Sequence, residues 1–85
     1  MSKFVTVHQF DEIIVGDIKY RVNQAFRLGG TPIAEIDVMT RGEGVWLTGD
    51  FVVVEVPASR RMKLETLIKR VNDELNSEDL EEAYY

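Results

Sequence analysis

Apolar and polar residues alternate along the first two thirds of the chain, with the period of a half-buried β-strand. In residues 18–27, an apolar face interrupted only by Gln24 alternates with a polar and basic face. The apolar face consists of Ile18, Tyr20, Val22 and Phe26, and the opposite face of Lys19, Arg21, Asn23 and Arg27. The last apolar run before Pro57 is nearly continuous, which predicts a central strand covered on both faces. The predicted strands cover residues 3–10, 13–15, 18–27, 33–40, 45–47 and 51–56.

The segments between these runs carry turn residues. Gly16-Asp17 and Gly49-Asp50 combine a flexible backbone with a side chain that bonds locally. Gly29-Gly30 followed by Pro32 is the strongest loop signal, because glycine permits positive φ and proline cannot donate to a central ladder. We therefore expect short hairpins and an antiparallel sheet.

After Pro57 the apolar period changes from two to that of a helix. Ser59 is a candidate N-cap, and Asn76-Ser77 is a candidate stop. The pattern predicts an amphipathic helix over about residues 60–76, followed by an acidic tail over residues 77–85. The apolar stripe of the helix consists of Leu64, Leu67, Ile68, Val71 and Leu75.

These elements predict a mainly β fold in a single domain over residues 1–76. We expect a small antiparallel sheet of five or six strands, curled or closed into an SH3-like barrel, with a C-terminal α-helix. The turn and strand sequences Val15-Gly16-Asp17-Ile18, Gly49-Asp50-Phe51 and Val54-Glu55-Val56-Pro57 resemble SH3-like small barrels, including short accessory proteins encoded by bacteriophages. The resemblance covers residues 13–57 and implies a fold and a phage setting, but no activity.

Charge is distributed unevenly over the 85 residues, whose formal net charge is -5. Residues 73–85 hold six acidic side chains and no Lys or Arg, whereas residues 1–72 carry ten basic and nine acidic ones, a net charge of +1. The chain has no cysteine, which excludes disulfides and thiolate metal sites and fits a reducing compartment. With no apolar run long enough for a membrane span, we expect a cytoplasmic protein.

Candidate catalytic groups are few. His8 is the only histidine, and a metal site would need further ligands that only carboxylates can supply. Asp17 and Asp50 would form a catalytic pair only if their turns met in space, and aspartate after glycine is common in turns. Gly29-Gly30 lacks the lysine and the following helix of a phosphate-binding loop. The sequence predicts no enzyme, cofactor or metal site.

Our leading interpretation is a non-enzymatic module that binds a partner protein or a second copy of the chain through the helix and the acidic tail. The residues assigned to this interaction are Leu64, Leu67, Ile68, Val71, Leu75, Leu80, Tyr84 and Tyr85. Two alternatives stay open: the helical stripe packs on its own sheet, and the tail is a solvated terminus or folds back over Arg60 and Arg61.

A second class of function is nucleic-acid binding by a small barrel, in which basic side chains contact phosphates and an aromatic ring stacks on bases. The isoelectric point of about 4.8 and the nearly neutral body argue against it. The candidate residues are Lys19, Arg21, Arg27, Trp46, Arg60 and Arg61.

Overall fold

The fold is that of a computed structural model, which describes the backbone of residues 3–83 and the side chains of residues 3–77. It is mainly β with one C-terminal helix, as the sequence predicts. The elements are β1 (Phe4–Thr6), β2 (Glu12–Val15), β3 (Ile18–Leu28), β4 (Thr31–Gly42), β5 (Val45–Glu55), β6 (Arg61–Lys63) and α1 (Leu64–Ala83).

The strands form two antiparallel sheets. The larger sheet has the order β2-β3-β4-β5, and β1 pairs with β6 in a separate two-stranded ribbon. Of the two expected forms, a curled sheet or a closed barrel, the sheet is not closed: among the described residues, β2 and β5 remain its edges and no strand joins them. The pairing partner of β1 is β6, a strand that the sequence analysis did not predict.

Two of the hairpins turn on two residues with positive φ. Leu28 pairs with Thr31 across Gly29 and Gly30, whose φ angles are 59° and 86°. This is the turn that the glycine pair predicts, and its backbone twist matches that of the strands.

A β-bulge at Asn23 changes which side chains of β3 face the core. Before the bulge, Tyr20 and Val22 are buried in the core. After it, Ala25 pairs with the buried Ala34, so Phe26 points to the opposite face. The prediction that Phe26 shares the apolar face of Tyr20 and Val22 is therefore wrong, because the extra residue shifts the alternation by one.

Strand β5 lies at the edge of the sheet, not at its centre as its apolar sequence predicted. The two predicted runs 45–47 and 51–56 belong to this single strand, and a register shift near Gly49 accommodates one extra residue. Val52 and Val54 are buried, whereas Phe51 and Val53 are exposed. Continuous apolar character here reflects two apolar faces, of which only one is covered.

Helix α1 packs on one face of the four-stranded sheet, which we call the inner face; the opposite side is the outer face. Leu67 and Val71 are fully buried among Val22, Ile36 and Val52. Burying a leucine side chain completely stabilises a fold by about 1.5–3 kcal/mol. Leu64, Ile68 and Leu75 lie half-buried at the margin of this contact.

The helix begins and ends later than the sequence predicts. It begins at Leu64 because residues 61–63 are paired in β6, and Ser59 lies in the preceding turn, where its hydroxyl accepts a hydrogen bond from the Arg61 amide. It continues past Asn76-Ser77 to Ala83, so most of the predicted tail is helical. The following Glu, Leu and Ala residues are good helix formers, which offsets the weak propensity of Asn76 and Ser77.

Candidate functional site

The outer face of the four-stranded sheet carries large apolar side chains in contact with solvent. Ile14 is 52% exposed and Phe51 is 47% exposed, and Phe26 and Val53 are also exposed. The registers place all four on this face, opposite the side on which α1 packs. An antiparallel sheet often leaves one face in water, but that face is then usually polar. Exposed apolar patches mark candidate binding surfaces, and here Phe51 and Val53 are neighbours on β5 whereas Ile14 and Phe26 lie on β2 and β3.

Polar side chains around these apolar residues are paired with one another. Lys19 Nζ lies 2.9 Å from Glu12 Oε2. The hydrogen bond from Lys19, supported by its charge, lowers the pKa of the Glu12 carboxyl. Asn23 Nδ2 donates to Asp37 Oδ2 over 2.6 Å. These contacts fix the polar part of the outer face and neutralise part of its charge.

Trp46 lies on the outer face between two cations. Lys19 Nζ is 5.0 Å and the Arg41 guanidinium carbon 4.8 Å from the centre of an indole ring. Such cation–π contacts contribute about 0.5–1 kcal/mol at exposed sites. Arg41 lies beyond the strand predicted to end at residue 40, so this contact was not expected. It follows from the extension of the β4–β5 hairpin to Gly42 and Val45, which pairs Arg41 with Trp46.

The β1–β2 groove, a second feature of the surface, lies between the two sheets. It has a volume of about 410 Å³ and is lined by residues 3–6 of β1 and its lead-in, residues 11–14 at β2, and Arg61. Phe4 and Ile14 lie on its two sides, 48% and 52% exposed. At its closed end, Thr6 Oγ1 donates to Asp11 Oδ2 over 3.0 Å.

The structure separates the six residues proposed for nucleic-acid binding. Lys19, Arg21 and Trp46 share the outer face. Arg27 is not on that face, contrary to the prediction, because the bulge at Asn23 moves it to the side of Ala25. Its guanidinium donates to the Gly30 carbonyl.

Arg60 and Arg61 make different contacts. Arg60 donates to the carbonyls of Phe26 and Ile33, at 3.0 Å each, and so ties the segment before β6 to the larger sheet. Its guanidinium is thus engaged by the chain's own backbone. Arg61 lies over the Phe4 ring, 4.8 Å from its centre, beside the β1–β2 groove.

The helical stripe assigned to a protein partner is largely occupied by the chain itself. Leu67 and Val71 have no exposed surface, so a partner cannot contact them in this fold, and the expectation for these two residues is corrected. Leu64, Ile68 and Leu75 are partly accessible. The side chains of Leu80, Tyr84 and Tyr85 lie outside the described residues.

The groups considered for catalysis are distinct from the exposed apolar residues of the outer face. His8 Nδ1 is 3.7 Å from Asp11 Oδ2 in the exposed turn after β1. Asp17 lies in the turn between β2 and β3, whereas Asp50 belongs to β5 and pairs with Val38 of β4. Over the described residues, no group of three or more His, Cys, Asp or Glu side chains is arranged to hold a metal ion.

The described part of α1 is not apolar enough over its length to cross a membrane. No protein-family model, curated protein or solved structure matches this chain. Its function therefore has to be inferred from the residues and their arrangement.

Proposed function

We propose that this protein is a non-enzymatic interaction module that binds a partner protein, or a second copy of itself, through the outer face of its four-stranded sheet. The proposal keeps the class of function that the sequence suggested and moves its main surface away from the helical stripe. The observation that carries it is the exposure of Ile14, Phe26, Phe51 and Val53 on the face that α1 does not cover.

The surface has the composition of a protein interface. Apolar and aromatic side chains lie among paired charges, and Trp46 is held in place by Lys19 and Arg41. Rigid aromatic anchors surrounded by polar groups are typical of residues that contribute most to binding energy. Covering Phe51 and its neighbours would remove apolar area from water at about 25 cal/mol per Å².

Phe51→Ser tests this surface, and Leu47→Ser is its matched control. The two side chains belong to the same strand and have similar exposure, but Leu47 points to the opposite side near the β4–β5 turn. We expect Phe51→Ser to lose captured partners in a cell extract, or self-association in sedimentation velocity, while Leu47→Ser keeps them. Circular dichroism checks that both variants fold. Equal binding by both variants would remove the outer face from the proposal.

The acidic C-terminal segment remains a second proposed contact. Among the side chains that the structure describes, Leu75 is the last helix residue packed against the core, so a chain ending there retains the described packing. We expect deletion of residues 76–85 to leave the unfolding transition in place and to change the set of captured proteins. An unchanged set would assign the segment to solubility alone. That the module belongs to a bacteriophage stays a prediction from its turn sequences.

Nucleic-acid binding is the rival function, and one observation favours it: Lys19 and Arg41 lie against Trp46 on the outer face, which also carries Arg21. The indole is already flanked by two cations, which restricts base stacking. A mobility-shift titration at two salt concentrations decides between the functions, because phosphate binding weakens steeply with salt. Absence of binding at low salt eliminates this rival.

A further inference from the structure

The first wall of the β1–β2 groove is the unpaired edge of β2. The amide of Val22 donates to the carbonyl of Asp11, so the Asp11 carbonyl points towards β3. Backbone polar groups of alternate residues in a strand point to the same edge, and Ile13 therefore also bonds to β3. Glu12 and Ile14 then direct their amides and carbonyls away from β3, into the groove.

The second wall is the unpaired edge of β1. The Lys3 carbonyl accepts from Leu64, and the Val7 amide donates to the carbonyl of Arg60, so both residues bond on the side of β6. The same alternation turns Val5 towards β6. It leaves the backbone groups of Phe4 and Thr6 directed into the groove. Two strand edges thus face each other without being paired.

The groove has a net positive charge. Glu12 is paired with Lys19, whereas Asp11 accepts hydrogen bonds from the uncharged Thr6 Oγ1 and His8 amide, so Lys3 and Arg61 together exceed Asp11 by one charge. Within the described part of the chain, neither Lys3 nor Arg61 forms a salt bridge.

We propose that the β1–β2 groove binds an extended, acidic segment of a partner protein, which adds to the free edge of β2 as a further strand. This inference rests on the proposed function and names the partner's chemistry. Main-chain bonds to Glu12 and Ile14 supply affinity, as in other cases of strand addition. Carboxylates of the segment pair with Lys3 and Arg61, which supplies selectivity.

The groove also dictates a side-chain pattern for its ligand. Side chains of an added strand alternate between the two faces of the sheet. On the inner side they meet Val5 and Ile13, which pack in or against the core, and on the outer side they meet Phe4 and Arg61. Alternating apolar and acidic residues fit both sides at once. A strand paired along the four residues of β2 spans about 13 Å.

The probe is a fluorescent eight-residue peptide in which valine and glutamate alternate, titrated with the full chain and followed by anisotropy. We expect it to bind at least about tenfold more tightly than the same peptide with lysine in place of glutamate. Two N-methylated forms, with methyl groups on odd or on even amides, should differ in affinity, because only one set of amides faces β2. Equal binding of the two forms would refute strand addition.

Protein variants locate the site. Arg61→Glu should weaken binding of the acidic peptide by about tenfold, whereas Lys63→Glu, on the same strand but outside the groove, should not. Ile14→Pro removes an amide that faces the groove and should weaken binding of the peptide. Ile14→Thr keeps that amide and is the control. Equal effects of Arg61→Glu and Lys63→Glu would overturn the charge assignment.

The outcomes separate this inference from the function on which it rests. If no peptide binds at millimolar concentration while Phe51→Ser still abolishes partner capture, the strand-addition inference is wrong and the outer-face function survives. If the acidic peptide binds and Phe51→Ser has no effect on capture, the groove alone is the binding site.

Discussion

Arg60 holds the two sheets together, and its replacement is the sharpest test of the fold. Its guanidinium donates to the carbonyls of Phe26 and Ile33, and its backbone has a φ of 57°. A hydrogen bond from a charged group contributes about 1.5–3 kcal/mol; because the bond to Ile33 is partly buried and the bond to Phe26 is exposed, we assign about 2 kcal/mol to the pair. A left-handed conformation costs a non-glycine residue about 1 kcal/mol.

Two variants separate these contributions. Arg60→Ala loses the hydrogen bonds and keeps the backbone strain, so we expect it to lower the free energy of unfolding by about 2 kcal/mol. Arg60→Gly also loses the bonds but relieves the strain, and should be more stable than the alanine variant by about 1 kcal/mol. Urea unfolding followed by circular dichroism measures both values.

The neighbouring Arg61 provides the control, because its described contact is a cation–π interaction with Phe4. Arg61→Ala should cost only about 0.5–1 kcal/mol. The reasoning is refuted if Arg60→Ala is no more destabilising than Arg61→Ala, or if the glycine variant is less stable than the alanine variant.

Three further predictions concern the core and two titrating groups. Leu67→Ala should cost about 2–5 kcal/mol in urea unfolding, and Leu64→Ala, at a half-buried position, clearly less. Burial raises the pKa of Tyr20. The stability due to its neutral phenol is therefore complete below about pH 10 and is lost as pH rises through the folded-state pKa. Thermal unfolding of Tyr20→Phe should not show this loss of stability at alkaline pH. The hydrogen bond and charge of Lys19 lower the pKa of Glu12, so their stabilisation exists above the ordinary glutamate pKa and disappears as pH falls through the lowered value. Carboxyl NMR titration of Lys19→Met should show the Glu12 pKa rising, and an unmoved pKa would contradict the assignment.

The sequence predicts the class of fold because its two apolar periods are strong. Tyr20 and Val22 are buried as the alternation requires, and Leu67 and Val71 form the buried helical stripe. Turn chemistry predicts the Gly29-Gly30 hairpin for the same local reason. These features depend on near neighbours in the chain.

The errors arise where a distant partner decides the outcome. An apolar strand has the same sequence pattern at the centre and at the edge of a sheet, so the exposure of Phe51 was not predicted. The position of β6 depends on pairing with β1, nearly 60 residues away, and this pairing delays the start of α1. The β1–β2 groove exists only because two strand edges do not pair with each other, and no local sequence pattern predicts this.

The bulge at Asn23 divides β3 into two halves whose apolar side chains face opposite sides of the sheet. Before it, Tyr20 and Val22 face the core; after it, the alternation is shifted by one residue and brings Phe26 to the outer face. If Asn23 instead paired with Glu35 as in a regular strand, the alternation would bring Phe26 to the inner face and Ala25 to the outer face. One inserted residue thus lets the same strand contribute Tyr20 and Val22 to the core and Phe26 to the proposed binding surface.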